Sequence, residues 1–375
     1  MLQRMGVMAS KKIKLPYLKP GMKIADDVYN SEVQLILPKG TVLTEKAINR
    51  LSMYSISAVS IILEDNVALP KEAFEQEPVR SSVPMTHSEK IQSSEAFIKY
   101  NEAFSEAKDS LHHSLNDIAD RNAQVDVDKM FETTAEILEH ADSSYQVFDM
   151  LHNMRHFDDS TYAHSLNVSI ICNIMGKWLN LTEEDTKILT VAGLMHDIGK
   201  LLIPSEIITK PGKLTSKEYT IIKQHPMRGF ELLSKQHLDP RISYSALCHH
   251  EKCDGTGYPL GLPAQKIPPF AKIVCIVDIY EAMTADRVYR KGICPFEVIR
   301  QFEAEGYQKY DTKYILTFLK GIAQTYMHET VLLSNGEQGE IVMINDSALS
   351  KPMLHTTDRF IDLSKEPELK IQQIL

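Results

Sequence analysis

The sequence has few of the features that mark secreted, membrane-spanning or nucleic-acid-binding proteins. Its five cysteines form no CxxC pair, so we expect reduced thiols and no disulfide framework. No apolar run approaches the ~20 residues of a membrane helix, and residues 1–14 lack the continuous apolar stretch of a signal peptide. The net charge of −9 does not favour DNA or RNA as a partner. These absences predict a cytoplasmic protein that has neither a nucleic-acid nor a membrane partner.

The composition that remains is that of a soluble globular protein with more than one domain. Apolar residues make up 43% and charged residues 24% of the 375 positions, which is enough for two or three domains. Residues 1–65 are predicted to form a small α/β module, and a regulatory role for this module is a hypothesis. Its strand-like runs at 33–37 and 58–63 flank a helix that Thr44 can cap.

A linker and a helical segment are predicted for residues 66–145. The stretch 64–90 is polar and holds three prolines, whereas 91–140 has no proline or glycine. The helical part is interrupted by a polar turn at 121–129. Its apolar residues recur at three- and four-residue steps: Phe97, Tyr100, Phe104, Ala107, Leu111, Leu115 and Ile118. This stripe suits a helical hairpin, the seam of a homodimer, or a helix packed within its own chain.

The candidate chemistry falls in residues 146–325, which are rich in helix-forming patterns. Beyond them, the strand-like runs 330–333 and 340–344 flank Asn335 and Gly336, a strong signal for a β-hairpin. Residues 326–375 therefore predict a small β appendage.

Histidines and aspartates lie on the apolar stripes of the predicted helices. His164, for example, is in line with Val168 and Ile171, so it should face inward. Taken singly, each such residue is more often a hydrogen-bonded core histidine or a capped aspartate than a metal ligand. The full set is His164, His196, Asp197, His225, His249, His250 and Asp278.

Together these seven residues favour a metal site. Burying so many polar groups without partners would be costly, whereas divalent cations would neutralise the carboxylates and use the imidazole lone pairs. Imidazole and carboxylate ligands suit iron, manganese and zinc. Asp197 follows His196 on the same turn and can bridge two metals, so a bridging hydroxide is the expected nucleophile for a phosphate ester. Cys248 and Cys253 lack zinc-knuckle spacing and are not expected to be ligands. A hydrogen-bonded polar network without metal remains the alternative interpretation of the seven residues.

Cationic residues and a glycine-rich loop accompany this set. Lys200 can reach a phosphate oxygen from its place three residues after Asp197, although a solvated lysine at a helix end fits the spacing equally well. Residues 254–259 predict a tight loop, either a plain turn or the mouth of the site. Arg287 and Arg290 carry guanidinium groups that match phosphate geometry, but they also fit a solvated charged face.

The chain resembles the HD-GYP family of cyclic di-GMP phosphodiesterases over about 146–325. The matching pieces are 162–165, 196–200, His225 and Pro226 with Gly229, 249–259, and Asp278 with 287–290. The resemblance implies that the fold is mainly α. It consists of an HD-type helical bundle carrying the metal site, a small α/β N-terminal module and a small β C-terminal appendage.

The same resemblance implies a function and a role for each residue. Family members use two or three metals, commonly iron or manganese, to hydrolyse cyclic di-GMP to linear pGpG, and in some members onward to GMP. One metal would be held by His164, His196, Asp197 and Asp278, and the second by His225, His249 and His250 with Asp197 bridging. Lys200, Arg287 and Arg290 would meet the phosphates, Gly257 and Tyr258 would contact substrate, and Asp197 and Lys200 would be catalytic.

Two departures and two rival functions remain. Ser160 stands where members with three metals have glutamate, so we expect two metals, and Val288 stands where the family often has proline. One rival is a cyclic di-GMP receptor that turns over slowly. The other is an HD-type phosphohydrolase acting on nucleoside triphosphates or ppGpp, which the loop at 257–259 and the extra histidines disfavour.

Overall fold

The computed structural model describes residues 10–29, 35–54, 56, 58–62, 87–154, 161–286 and 291–375. The chain divides into two compact units, 1–84 and 85–375. Among the residues described, no helix combines the length and apolar character needed to cross a membrane.

The first unit is a small antiparallel β-structure with a helix. Its elements are β1 (Ser10–Lys14), a 3₁₀ turn (Leu15–Tyr17), β2 (Lys23–Ile24), β3 (Val28–Tyr29), β4 (Leu35–Leu37), α1 (Glu45–Met53) and β5 (Ala58–Ile62). Strand β5 lies between β1 and β2, and β3 pairs with β4. The Thr44 hydroxyl accepts a hydrogen bond from the Ala47 amide at 3.3 Å, which confirms the predicted cap. Residues 33, 34 and 63 of the predicted strands lie outside the described residues.

The second unit begins with helices that pack around one apolar core. They are α2 (His87–Gln92), α3 (Glu95–Arg121), α4 (Val127–Leu138), α5 (Ser144–Met154), α6 (Thr161–Trp178), α7 (Glu183–Met195), α8 (Ser205–Ile208), α9 (Ser216–Ile222), α10 (His225–Leu233), α11 (Pro240–Cys248), α12 (Pro269–Thr284), α13 (Pro295–Lys309) and α14 (Thr312–Thr325). Short 3₁₀ helices cover Ile198–Leu202 and Ala264–Lys266. Residues 64–86 of the predicted linker are outside the described part, whereas 87–90 are helical because Ile91 in the same helix packs on the core.

The predicted apolar stripe of α3 is buried inside its own chain. All seven residues, from Phe97 to Ile118, belong to the central core, and α3 contacts α4 as one arm of a hairpin. The expectation that this stripe forms a dimer seam is therefore wrong, because helices of the same chain already cover it. A homodimer through some other surface stays a prediction.

Close helix packing brings the ends of several helices together. Helix α7 packs against α6 and α11, and α12 packs against the same two helices. At Gly193 the helices α6 and α7 approach so closely that a Cβ would lie 2.9 Å from Cys172 Sγ. The first turn of α6, the C-terminal ends of α7 and α11 and the middle of α12 can therefore contribute side chains to one place.

The C-terminal residues form an antiparallel sheet on the helical core. Its strands are β6 (Thr330–Leu333), β7 (Gln338–Met343), β8 (Met353–His355), β9 (Phe360–Asp362) and β10 (Ile371–Ile374), in the order β10-β6-β7-β8-β9. Gly336 has a φ of +86° in the β6–β7 turn, as the predicted hairpin requires. The predicted fold class is confirmed: the protein is mainly α, with a small N-terminal α/β module and a C-terminal sheet.

Candidate metal centre

The seven predicted ligands come from five helices and the turns that follow them, and they meet in two adjoining groups. His164 lies in α6, His196 and Asp197 follow α7, His225 begins α10, His249 and His250 follow α11, and Asp278 lies in α12. Asp197, His225, His249 and His250 form one group, and His164, His196 and Asp278 form the other, with ligand atoms within 4.8 Å of one another in each. Neither Cys248 nor Cys253 belongs to these groups.

Asp197 lies between the two groups and turns one carboxylate oxygen to each. Its Oδ1 is 3.2 Å from His225 Nε2 and 3.6 Å from His249 Nε2. Its Oδ2 is 3.5 Å from His164 Nε2 and 3.4 Å from His196 Nε2. This arrangement is what a carboxylate bridging two cations requires.

Asp278 provides a second link between the groups. Its Oδ1 is 3.1 Å from His164 Nε2 and 3.8 Å from His196 Nε2. The other oxygen, Oδ2, faces His250 Nδ1 at 3.8 Å. Asp197 and Asp278 therefore each face imidazoles of both groups.

Backbone carbonyls orient three of the imidazoles. The Nδ1 atoms of His196, His225 and His249 lie 2.7, 2.7 and 2.9 Å from the carbonyl oxygens of Gly193, Ile222 and Ala246. Since a carbonyl only accepts, each Nδ1 carries the proton and each Nε2 presents a lone pair to the centre. This is the arrangement of histidines that ligate metals.

The resulting arrangement of atoms fits cations better than it fits a plain polar network. The Nε2 atoms of His225 and His249 are 3.2 Å apart although neither carries a proton to share. Within the described part of the chain, His196 Nε2 and Asp197 Oδ1 are buried without a hydrogen-bond partner. Buried acceptors that face one another without a donor are costly, and a divalent cation removes that cost.

A glutamate that the motif search did not single out orients the remaining buried imidazole. Glu281 Oε2 is 2.5 Å from His164 Nδ1, and Asn167 Nδ2 donates to Glu281 Oε1 at 3.0 Å. Glu281 lies three residues after Asp278 on α12, so the two share a helix face. That spacing was a signal available in the sequence.

The pKa values follow from burial and from these neighbours. Burial lowers the pKa of His249 to about 4, and burial with the adjacent His249 holds the pKa of His250 well below its usual value. Burial by itself would lower the pKa of His164 as well, but the carboxylates of Glu281 and Asp278 outweigh burial and raise this pKa to about 10. A cation bound at this imidazole would therefore displace a proton, as metal binding to ligands generally does.

Lys200 reaches Asp197, as its spacing allows. Its Nζ forms an ion pair with Asp197 Oδ2, and the Lys200 side chain is partly exposed. Burial disfavours the ionised carboxylate, but Lys200 and His196 outweigh burial and hold the pKa of Asp197 well below its usual value. The other predicted phosphate ligands, Arg287 and Arg290, lie outside the described residues, as do Val288 and Ser160.

The glycine-rich loop is tied to the centre by Glu251 and Tyr258. The buried Glu251 carboxylate accepts hydrogen bonds from the amides of Leu260, Gly261 and Leu262 at 2.6, 3.1 and 2.9 Å. At Gly257 a Cβ would overlap the backbone of Glu251 and lie 2.6 Å from the carbonyl oxygen of His250. The Tyr258 ring stacks on the His250 ring with centroids 4.6 Å apart. The loop is thus both a tight turn and a wall beside a candidate ligand.

Another glycine sets the position of His225. A Cβ at Gly199 would overlap the carbonyl oxygen of His225 and lie 2.6 Å from the amide of Gly229. The 3₁₀ helix after Asp197 can therefore lie directly against the first turn of α10. This contact fixes the distance between Asp197 and His225.

Comparison with known proteins finds similarity over the part of the chain that holds this centre. Residues 140–314 match the family model described as HD domain. The chain is 32% identical over 226 residues to a cyclic di-GMP phosphodiesterase of Pseudomonas aeruginosa. The aligned region covers 60% of this chain and 53% of that protein. The chain is also 39% identical over 144 residues to a 3'3'-cGAMP-specific phosphodiesterase of Vibrio cholerae. This alignment covers 37% of this chain and 32% of that protein.

A solved structure is also similar. An HDG"Y"P protein from Bdellovibrio bacteriovorus has a TM-score of 0.47 and 17% sequence identity, covering 83% of this chain and 98% of that chain. The chain spans about half of the Pseudomonas relative's length and about a third of the Vibrio relative's.

Proposed function

We propose a function from the premise that this chain carries an HD domain of the HD-GYP kind, the family that its motifs predict. The chain is a metal-dependent phosphodiesterase that hydrolyses cyclic di-GMP to linear pGpG, and further cleavage to GMP is the second reaction that some members of the family carry out. Its substrate is a cyclic dinucleotide. The curated relatives named above act on cyclic di-GMP and on 3'3'-cGAMP.

The observation that carries this proposal is the position of Asp197 between two sets of buried imidazoles. Its two oxygens face opposite groups, at 3.2 Å from His225 Nε2 and at 3.4 Å from His196 Nε2. A structural polar network has no need for unprotonated nitrogens on both sides of a carboxylate. A site for two cations does need them.

Two divalent cations are the proposed cofactor. Imidazole and carboxylate ligands suit iron, manganese and zinc, and the resemblance to the HD-GYP family favours iron or manganese among them. When bound, they would supply a water of lowered pKa as the nucleophile and would offset the charge of the phosphodiester. His164, His196 and Asp278 would hold one cation and His225, His249 and His250 the other, with Asp197 shared.

The protein's own groups would orient the substrate and neutralise its charge. The Lys200 ammonium, which pairs with Asp197 in the structure, would donate to a non-bridging phosphate oxygen of the substrate. Arg287 and Arg290 are proposed to bind phosphate as well. Gly257 and Tyr258 shape the wall next to His250, against which the dinucleotide would lie. Hydrolysis then breaks one P–O3′ bond and leaves the 5′-phosphate of pGpG.

Chromatography of reaction products tests this function. Protein loaded anaerobically with iron or manganese is incubated with cyclic di-GMP, and pGpG is expected as the first product. The Asp197→Asn variant, which keeps the shape but not the charge of the bridge, should give none. Tight binding of cyclic di-GMP without product would instead identify a receptor, and hydrolysis of ppGpp or nucleoside triphosphates alone would identify another HD-type hydrolase.

A further inference from the structure

A column of aromatic and cationic side chains leads away from the metal centre. The Tyr258 ring stacks on the ring of His250. Lys223 Nζ lies over the Tyr258 ring, 4.7 Å from its centroid. The same ammonium lies 5.3 Å from the centroid of the Tyr219 ring. Lys223 thus lies between two tyrosines, and one of those tyrosines touches a candidate metal ligand.

Within the described residues, no ion pair accounts for the position of the Lys223 ammonium between the two tyrosine rings. In the described parts of the chain, Lys223 is half-buried and forms no ion pair with a carboxylate, and its ammonium lies over the two rings. Tyr219 is 51% exposed. A ring face attracts an ammonium electrostatically and takes up none of its three N–H groups in a conventional hydrogen bond, so Lys223 can still donate to a ligand.

The combination of an exposed ring and a fixed ammonium matches a nucleobase better than a phosphate. Bases stack on aromatic side chains, whereas phosphate gains nothing from a tyrosine face. Guanine presents two acceptors, O6 and N7, on one edge, which lysine binds. Adenine presents a donor, its N6 amino group, at the position of O6, and this group would meet the ammonium unfavourably.

We infer that Tyr219 and Lys223 form a guanine-binding subsite beside the metal centre. The inference rests on the proposed function and deepens it. Tyr219 stacks on one base of the cyclic dinucleotide, and Lys223 donates to the guanine acceptor edge. Lys223 is therefore a specificity-determining residue that separates cyclic di-GMP from cyclic di-AMP.

Equilibrium binding of two matched ligands provides the test. Phosphorothioate analogues of cyclic di-GMP and cyclic di-AMP resist hydrolysis and share the same ring and charges, so they differ only in their bases. With metal-loaded protein, Lys223→Met should weaken binding of the guanine analogue by about ten-fold and leave the adenine analogue within about two-fold. The matched control is Lys217→Met, an exposed lysine on the same helix α9, which should change neither.

The stacking role of Tyr219 has a different signature. Tyr219→Ala should weaken the guanine and adenine analogues by a similar factor of about ten, since stacking tolerates any base. Tyr219→Phe keeps the ring and should bind both like the unaltered protein. Unchanged melting temperatures would show that these variants still fold.

Several outcomes would overturn the inference. Equal weakening of both analogues by Lys223→Met would mean that Lys223 binds phosphate, and no weakening would mean that it binds neither. If the unaltered protein cleaves cyclic di-GMP and Lys223→Met keeps its base preference, only the subsite fails. If the unaltered protein neither binds nor cleaves any cyclic dinucleotide, the proposed function fails with it.

Discussion

At the scale of single residues, Glu281 orients a candidate metal ligand although it is not one of the seven predicted ligands. Its carboxylate fixes the ring of His164, and Asn167 fixes the carboxylate in turn. We expect Glu281→Gln to weaken metal binding by about 10-fold to 100-fold, because it removes the charge that orients the ligand. Competition against a chelating indicator measures this. Glu305→Gln, at an exposed glutamate of α13, is the control, and equal metal affinity in both variants would contradict the role given to Glu281.

Lys200 is expected to affect turnover and not metal content. Its ammonium occupies the side of Asp197 that a cation would use, so Lys200→Met removes a competitor and should not lower metal affinity. Turnover of cyclic di-GMP should fall by about 10²-fold if the contact with phosphate strengthens in the transition state. Metal analysis and kcat are measured on the same preparation, with the exposed Lys235→Met as control. A metal-free or fully active variant would refute the assignment.

At the level of secondary-structure elements, the centre depends on the 3₁₀ helix after Asp197 lying against α10. Gly199→Ala puts a methyl group into the His225 carbonyl, so the two elements must separate. We expect a loss of about 1–3 kcal/mol in the free energy of unfolding, together with low metal occupancy. Gly306→Ala in α13 is the control, since a Cβ there would be no closer than 3.5 Å to a neighbour. This change should raise the free energy of unfolding by about 0.5–1 kcal/mol. Denaturant unfolding and metal analysis measure both effects, and wild-type values for Gly199→Ala would contradict the argument.

Helix α3 makes a second prediction for an element. Because Phe104 and Leu111 are buried in the chain's own core, replacing both with Glu should destabilise the fold by more than about 3 kcal/mol. The same two changes at Ser105 and Ser110, which are exposed on the same helix, should have little effect. Thermal unfolding with light scattering distinguishes the cases. A folded double variant with half the wild-type mass would reinstate the dimer seam.

For the whole molecule, the cations should act as a structural link between helices. The candidate ligands come from α6, α10 and α12 and from the turns after α7 and α11, so one centre ties five helices of the second unit together. Removing cations leaves acceptors facing one another, as with the 3.2 Å between His225 and His249 Nε2. Chelation should therefore lower the melting temperature, by an amount equivalent to about 4 kcal/mol when free metal had been 1,000 times its Kd. Scanning calorimetry with a chelator, then with manganese restored, is the measurement. A melting temperature that does not respond would contradict the presence of bound metal.

The sequence alone determined the class of the fold and the set of candidate ligands. Apolar periodicity depends only on local geometry, so it identified α3, α6 and the face of α6 that carries His164. The hairpin at Asn335 and Gly336 could also be predicted, since a turn of that type requires a positive φ that glycine adopts without strain. Each of these signals lies within one short stretch of sequence, so neither depends on how distant parts of the chain pack.

Only the tertiary structure decided how those elements combine. An apolar stripe shows which face of α3 must be covered but not by which partner, and here its own chain covers it. The contacts of Glu281 with His164 and of Lys223 with Tyr258 join residues far apart in sequence, and no periodicity relates such residues. The two oxygens of Asp197 face different groups because five helices end or cross at one point. That placement depends on packing at glycines such as Gly193 and Gly199, where the absence of a side chain permits contact but does not specify the neighbour.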